Sequence, residues 1–293
     1  MLRTIAGLAV SLRPKQWTKN LLVFAGYLFT IEQGHSSIML LRAAAAFGLF
    51  CAVSGAGYIL NDACDVSCDR KHPRKCHRPI AAGQISIGAA VVFCVLLLIG
   101  GLAASYALAT SFGLMITAYF ILTTAYSLYL KHVVIVDLLA IAGGFVIRAV
   151  AGAVVIHVAI SPWLLVCTTL LALFLGLAKR RGEIATLENG GVDYRPTLGL
   201  YSTLMLDQML TISASASLMA YFLYTFTPNY YSGQQHPAMM ATVPFVIYGL
   251  FRYLFLIHTK NAGSAPEQVL LEDKPLLVNL LLYIIVTVIA LKI

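Results

Sequence analysis

The chain has 293 residues, of which 60% are hydrophobic and 11% are charged, and its mean hydropathy is +0.85. Soluble domains are roughly 45–50% apolar and about 25% charged, so this composition excludes an ordinary soluble enzyme. A net charge of +8 would suit nucleic acid, but nearly all Lys and Arg residues lie between apolar segments, as membrane orientation requires. We therefore expect an integral membrane protein that does not bind nucleic acid.

Nine apolar segments are candidate membrane spans, with boundaries that are uncertain by several residues, and a span needs about 20 residues to cross a hydrocarbon core of roughly 30 Å. Their approximate ranges are 18–31, 38–60, 86–108, 111–130, 134–157, 162–178, 203–227, 238–258 and 275–292. Together they predict an all-α fold, a polytopic bundle of nine transmembrane helices that occupies residues 1–293 as one membrane domain.

The basic residues lie on one side of this arrangement. With the amino terminus in the cytosol, sixteen Lys and Arg residues fall in cytosolic segments, whereas the outer loops contain none. Because cytosolic loops carry the excess of positive charge, this asymmetry predicts a multi-pass protein of the plasma (inner) membrane with a cytosolic amino terminus. The long loops 61–85, 179–202 and 259–274 share that side, so we expect the active site to face the cytosol.

Three aspartates follow the second span. Asp62, Asp65 and Asp69 are spaced by three and four residues, so on one continuous helix their side chains would share a face. Like-charge repulsion makes such a group costly without a cation, and hard oxygen ligands suit Mg²⁺, which also binds substrate phosphates. We expect these three carboxylates, supported by Asn61, to be the catalytic and Mg²⁺-binding residues.

Two other interpretations of this segment stay open. The aspartates could form a solvated acidic helix end, although the cationic run that follows, with Arg70 and Arg78, favours a combined metal and phosphate site. Cys64, Cys68 and His72 are spaced by four residues and would suit zinc, but on a helical wheel the cysteines fall opposite the aspartates, and no paired C-x₂-C spacing is present. We expect free thiols.

The motif N-D-x-x-D-x-x-x-D at 61–69 resembles the first aspartate motif of the UbiA-type membrane prenyltransferase superfamily. Within that superfamily, the chain is most similar to the decaprenyl-phosphate phosphoribosyltransferases. The matching stretches are RPKQWTKN at 13–20, YILNDACDVSCDRKHP at 58–73, RPIAAG at 78–83, LKHVV at 130–134, IRAVAG at 147–152, AKRRGE at 178–183 and APEQ at 265–268. The resemblance covers nearly the whole chain and implies a UbiA-like fold.

The chain departs from the wider superfamily after the sixth span. The resemblance implies a second aspartate motif there, whereas this sequence reads Lys179-Arg180-Arg181-Gly182-Glu183. These cations could be a stop signal for membrane insertion. They also suit a donor with two separated phosphate groups, of which one is bound to metal and the other is held by cations. Phosphoribosyl diphosphate has that shape.

Charged residues inside the spans are few. Arg148 lies near the middle of the fifth span, where an ionisable group is expensive and normally faces a cavity. Asp137 lies 11 residues earlier, about 20° away on a helical wheel, so both side chains could border one cleft. Arg252 and Asp207 lie nearer the cytosolic boundary and could form a structural pair.

The resemblance implies Mg²⁺-dependent transfer of 5-phosphoribose from phosphoribosyl diphosphate to a polyprenyl (decaprenyl) phosphate, giving polyprenylphosphoryl-5-phosphoribose and diphosphate. This product would be a precursor of arabinofuranose donors for cell-wall arabinan. The residues expected to bind substrate phosphates are Lys19, Arg70, Arg78, Lys131, Arg148, Lys179, Arg180 and Glu183. Which of them holds which phosphate stays open, as does the oligomeric state. The polyprenyl tail and membrane lipids would fill apolar grooves between spans.

Two other function classes stay open. A conventional UbiA-type enzyme would move an isoprenyl group from a prenyl diphosphate to an aromatic acceptor, and it should need the second aspartate motif. A lipid or ion transporter would suit nine spans and an intramembrane arginine. Transporters usually show broken helices near the bilayer midplane, however, and the sequence has no pair of Gly- or Pro-interrupted spans of that kind.

Overall fold

The computed structural model describes residues 2–71, 75–188, 198–228, 237–260 and 266–292; the cations Arg74 and Arg195 lie outside these ranges. Within them the chain is helical and contains no β-strand, which confirms the all-α fold class. The α-helices are α1 Leu2–Ser11, α2 Ala25–Phe29, α3 Ser37–Cys64, α4 Val66–Lys71, α5 Ile87–Leu108, α6 Thr110–Leu128, α7 Val136–Val155, α8 Pro162–Glu188, α9 Thr203–Phe226, α10 Val243–Lys260, α11 Pro266–Glu272 and α12 Lys274–Lys292.

Eight helical spans in the described part of the chain are long and apolar enough to cross a membrane. They are α3, α5, α6, α7, α8, α9, α12 and the run Pro237–Thr259, in which a 3₁₀ turn precedes α10. Their outward faces carry large exposed apolar side chains, for example Leu96 and Ile99 of α5. Such faces suit a lipid environment, so the structure agrees with a multi-pass membrane protein.

The first predicted span, 18–31, is not one continuous α-helix. Residues 18–24 belong to an 11-residue 3₁₀ helix, Pro14–Phe24, and only residues 25–29, the short helix α2, are α-helical. The described chain therefore has eight candidate spans rather than the nine predicted. A 3₁₀ helix rises about 2.0 Å per residue and an α-helix about 1.5 Å, so the rises of Pro14–Phe24 and α2 add up to about 30 Å along the chain.

Helix α7 holds this 3₁₀ helix in place. A Cβ atom added to Gly152 of α7 would overlap the carbonyl group of Val23, and one added to Gly26 would lie 2.8 Å from the Cα atom of Ala153. Helix α7 also packs against α6 and α8. Small residues allow such close backbone contact between membrane helices, where packing drives association. The contact sets the 3₁₀ helix, with Asn20 buried on it, directly against α7.

Candidate active site

A cavity of about 2160 Å³ lies between the helices. Nine of the twelve predicted site residues line it: Lys19, Asn61, Asp65, Asp69, Arg78, Lys131, Arg148, Lys179 and Glu183. Other parts of the wall are apolar or aromatic, with Phe174 of α8, Phe245 of α10 and Leu280 of α12 among them. A cavity lined by charged groups in one part and by apolar side chains in another suits a lipid with an anionic head group.

The aspartates at the end of α3 are held by arginines. Asp62 is 3% exposed and lies behind the cavity wall, where its Oδ1 atom accepts hydrogen bonds from Nη2 of Arg13 and, at 3.0 Å, from Nη1 of Arg78. The same Arg78 nitrogen donates to Oδ2 of Asp69 at 2.6 Å. One guanidinium therefore joins Asp62 to Asp69.

The third aspartate lies at a break in the helix. Helix α3 ends at Cys64, Asp65 has φ −93° and ψ 9°, and α4 begins at Val66. The three carboxylates therefore do not share one face of a continuous helix, as their spacing predicted. Asp65 is half-buried, and its Oδ2 atom accepts a hydrogen bond from Nδ2 of Asn61 at 3.1 Å. Among the described residues, no group of three or more Asp, Glu, His or Cys side chains is arranged to hold a metal ion.

The donors that remain on the cavity wall nevertheless fit Mg²⁺. The carboxylates of Asp65 and Asp69 and the amide of Asn61 all line the cavity, and all offer hard oxygen atoms. Mg²⁺ usually keeps several waters and is bound through one or two carboxylates together with substrate phosphates, so it does not need a cage of three carboxylates.

The cysteines do not form the alternative zinc site in the part of the chain that is described. Cys64 and Cys68 line the same cavity as Asp65 rather than lying on the opposite side, and both are exposed free thiols. The third member of that group, His72, lies outside the described residues. No cysteine forms a disulfide, as expected.

Arg148 is buried in the wall of the cavity and is 5% exposed. Its Nε atom donates to Oδ1 of Asn20 at 2.8 Å, Nη1 donates to the Gly144 carbonyl oxygen at 2.9 Å, and Nη2 donates to the Tyr119 hydroxyl at 2.7 Å. The guanidinium also lies over the Tyr119 ring, 4.5 Å from its centroid. Within the described chain, all of these partners are neutral.

Asp137 does not share a cleft with Arg148, because it is fully buried and pairs with Arg180 instead. Its Oδ2 atom accepts hydrogen bonds from Nε and Nη2 of Arg180 at 2.9 and 2.8 Å, and Oδ1 accepts from the Tyr201 hydroxyl at 3.2 Å. Burial raises the pKa of Tyr201, so this hydroxyl stays protonated and donates at neutral pH. A third nitrogen of Arg180, Nη1, donates to Oε2 of Glu183 at 2.8 Å.

The geometry corrects the expectation that Arg180 binds a substrate phosphate. Its side chain is 1% exposed, does not line the cavity, and is occupied by Asp137 and Glu183. Because two charges buried at the contact of α7 and α8 must compensate each other, Arg180 belongs to the packing of the bundle. Its hydrogen bond to Glu183 joins it to a residue that does line the cavity.

Replacing Arg180 with Gln is expected to destabilise the protein by about 3 kcal/mol, because the Asp137 carboxylate would stay buried without its cation. Thermal unfolding of the detergent-purified protein measures this effect. The neighbouring change Arg181→Gln is the matched control, since Arg181 pairs with Asp207, whose side chain is 33% exposed, and should lower the stability far less. Equal losses of stability in both variants would show that the buried Arg180–Asp137 pair stabilises the protein no more than the more exposed Arg181–Asp207 pair does.

Two other expectations also need correction. Arg70 is exposed, donates to a backbone carbonyl oxygen at 3.2 Å and does not line the cavity. Arg252 and Asp207 do not pair with each other: Arg252 bonds to Asp273 at 2.8 Å, whereas Asp207 accepts a hydrogen bond from Arg181 at 3.2 Å. The partners Asp273 and Arg181 both lie outside the predicted spans that contain Arg252 and Asp207. The positions of Arg252 and Asp207 within their spans therefore did not indicate these partners.

Three lysines reach the cavity from separate parts of the chain. Lys19 lies on the 3₁₀ helix and donates to Oε1 of Gln16, Lys131 follows α6, and Lys179 lies on α8. All three are half-buried and line the cavity. Ammonium groups on several sides of one cavity suit a substrate with more than one anionic group.

Three residues that contact predicted site residues were not singled out from the sequence. Arg13 begins the matching stretch 13–20 but was given no role, yet it pairs with Asp62 and lies over the Tyr58 ring, 4.8 Å from its centroid. Asn20 and Tyr119 both bind Arg148. An amide within an apolar segment, inside the matching stretch 13–20, was a usable signal for Asn20. Tyr119 is one of many tyrosines in the spans and offered no such signal.

Comparisons with known proteins agree with this architecture. The model of the UbiA prenyltransferase family matches residues 20–272. The chain is 35% identical over 292 residues to the decaprenyl-phosphate phosphoribosyltransferase of Corynebacterium glutamicum, covering 97% of this chain and 86% of that protein. It is 33% identical over 275 residues to the enzyme of the same name from Mycobacterium tuberculosis, covering 93% and 90%.

A solved structure shares the fold. It is that of a UbiA homolog from Archaeoglobus fulgidus bound to GPP and Mg²⁺, which superposes with a TM-score of 0.72 at 17% identity and covers 98% of this chain and 100% of that one. The family match spans most of the chain, and the curated relatives, which are transferases by name, are similar over nearly its full length. The protein therefore belongs to the UbiA prenyltransferase family of membrane transferases.

Proposed function

We propose that the protein transfers 5-phosphoribose from phosphoribosyl diphosphate to a polyprenyl phosphate such as decaprenyl phosphate. The observation that carries this proposal is the identity of 35% and 33%, over nearly the whole chain, to two enzymes named decaprenyl-phosphate phosphoribosyltransferase. The charges of the cavity support it. Where ordinary family members are expected to carry a second group of aspartates, this chain places Lys179 and Glu183 on the cavity wall.

In this proposal Asp65, Asp69 and Asn61 hold Mg²⁺ at the diphosphate end of the donor. When bound, Mg²⁺ would neutralise charge that builds up on the leaving diphosphate. Asp62 acts differently, because from behind the cavity wall it orients Arg13 and Arg78, both of which line the cavity. Those guanidinium groups add positive charge beside the leaving group.

The reaction itself needs little from the protein besides orientation and charge. An oxygen of the acceptor phosphate forms a bond to C1 of the ribose, and the C1–O bond to diphosphate breaks, with the electron pair leaving on diphosphate. The ribose passes through an oxocarbenium-like state. Because the acceptor phosphate is already an anion at neutral pH, no general base has to remove a proton. Lys19, Lys131 and Lys179 would bind the remaining phosphate charges.

The apolar part of the cavity would hold the first isoprenoid units of the polyprenyl tail, against side chains such as Phe174 and Leu280. We place the whole chain, residues 1–293, in the plasma (inner) membrane as one domain with the site facing the cytosol, where phosphoribosyl diphosphate is available. The lipid product would then supply arabinofuranose donors for cell-wall arabinan.

The test is a transfer assay on the detergent-purified full chain with labelled phosphoribosyl diphosphate. Label should move into the organic phase only when both Mg²⁺ and a C50 or C55 polyprenyl phosphate are present, and chelation of the metal should stop the transfer. If a prenyl diphosphate and an aromatic acid react instead, the protein is a conventional UbiA-type prenyltransferase. If neither assay gives a product, the proposed function is wrong and a transport role gains weight.

A further inference from the structure

The charge of Arg148 has no counter-ion among the described residues. Its three hydrogen bonds go to an amide oxygen, a backbone carbonyl and a hydroxyl, and the guanidinium is stacked over the rings of Tyr119 and Phe145. Arg13, Arg78 and Arg180, which are also buried or half-buried, each pair with carboxylates. Arg148 differs from these three in having only neutral partners within the described chain.

A buried cation with neutral partners is costly unless a ligand supplies the negative charge. Neutral dipoles can satisfy the N–H groups of Arg148, but they leave its charge uncompensated in a wall that is largely apolar. The side chain lines the cavity, so a ligand in the cavity can reach it. The arrangement therefore suits an anionic group of a substrate in the cavity.

The distance of Arg148 from the expected diphosphate site indicates which substrate anion it could bind. Asn20, which binds Arg148, also donates through Nδ2 to Ser54 at 3.3 Å. Ser54 precedes Asn61 by seven residues on α3, so it lies about 10 Å farther along the helix, away from the carboxylates expected to bind the diphosphate. On α7, Arg148 is twelve residues after Val136, about 18 Å from that end of the helix.

The attacking and leaving oxygens of a displacement lie on opposite sides of the reacting carbon. A lipid whose tail lies among the spans brings its phosphate to C1 from the membrane side, and a diphosphate held by Asp65 and Asp69 leaves on the other side. We propose that Arg148 binds the phosphate of the polyprenyl acceptor and that Asn20 and Tyr119 orient its guanidinium for this contact. This inference rests on the proposed function, whose donor site it takes as given.

Changing Asn20 to Asp tests the proposal without removing the arginine. The new carboxylate would lie at the 2.8 Å contact with Nε of Arg148 and supply the missing counter-ion from within the protein. We expect the KM for decaprenyl phosphate to rise about 30-fold, because an internal anion competes with the substrate phosphate, while the KM for phosphoribosyl diphosphate changes less than about threefold. The thermal stability should not fall.

The matched variant Asn20→Ser separates this role from a purely structural one. It removes the amide contact to Arg148 without adding charge, so the stability should fall. The KM for decaprenyl phosphate should rise only about threefold, because the guanidinium is less well oriented but keeps its uncompensated charge. If Arg148 only fastens the 3₁₀ helix to α7, the result should be reversed: Asn20→Asp would preserve both substrate affinities and Asn20→Ser would weaken both equally. That pattern would overturn the proposal.

Direct binding distinguishes a failure of this inference from a failure of the proposed function. Binding of decaprenyl phosphate and of decaprenol to the detergent-purified protein is measured without donor. The original protein should prefer the phosphate, and Asn20→Asp and Arg148→Lys should reduce that preference. If the preference falls although no variant or original protein transfers ribose, the role of Arg148 stands and the proposed reaction fails. If transfer occurs but only the KM for phosphoribosyl diphosphate rises in Asn20→Asp, Arg148 binds the donor and the inference fails.

Discussion

Replacing Asp65 with Asn should reduce phosphoribosyl transfer by about 100-fold or more while the protein stays folded. Asp65 is half-buried, lines the cavity and accepts one hydrogen bond, from Asn61, so the change removes a negative charge without leaving a buried arginine unpaired. The expected loss arises because a carboxylate is a far stronger ligand for Mg²⁺ than a neutral amide. Initial rates across a range of Mg²⁺ concentrations measure it, and higher Mg²⁺ should restore part of the rate.

Asp207→Asn is the matched control for this change. Asp207 lies outside the cavity and pairs with Arg181 near the surface, so the same chemical change there should leave the rate within about twofold. Asp62 is less suitable, because its loss would leave Arg13 and Arg78 without their shared partner and would mix stability with catalysis. An Asp65→Asn protein with full activity and unchanged Mg²⁺ dependence would contradict the proposed metal site.

The sequence predicted the spans well because their signal is simple: about 20 apolar residues are needed to cross the hydrocarbon core. That signal does not reveal the type of helix. The segment 18–31 is apolar enough for a span, but much of it is a 3₁₀ helix that packs closely against α7, which comes much later in the chain, at Gly26 and Gly152. Composition and periodicity are local properties of the sequence, so they do not predict a contact between segments so far apart in the chain.

In the candidate site, too, the sequence predicts where charged residues occur but not which residues they contact. Sequence analysis assigned phosphate binding to Lys179 and Arg180, but it had no means of separating the roles of the consecutive cations Lys179, Arg180 and Arg181. Successive residues of a helix point about 100° apart, and packing gives each a different role. Lys179 lines the cavity, Arg180 pairs with buried Asp137, and Arg181 pairs with Asp207 near the surface. The sequence motif predicted correctly that this turn of helix α8 contributes to the cavity. Only the packing of the helices shows which of its three cations does so.

Replacing Gly152 with Ala is the change from which we expect the largest loss of stability, about 4 kcal/mol or a fall in Tm of roughly 10 °C. The added Cβ atom would overlap the Val23 carbonyl group, which belongs to a backbone and cannot rotate away as a side chain can. The 3₁₀ helix would have to move off α7. Thermal unfolding of the detergent-purified protein measures the change, with Gly100→Ala as the control, since a Cβ atom there meets nothing within 4 Å.

The displacement should also affect substrate binding, because the 3₁₀ helix carries both Lys19 on the cavity wall and Asn20 beside Arg148. We therefore expect the surviving folded fraction of Gly152→Ala to bind decaprenyl phosphate more weakly than the original protein, whereas Gly100→Ala should bind it equally well. Unchanged stability in Gly152→Ala would mean that the 3₁₀ helix does not touch α7 at this point. Lower stability with unchanged lipid affinity would show that displacing the 3₁₀ helix from Gly152 does not affect lipid binding through Arg148. The lipid phosphate would then bind elsewhere in the cavity.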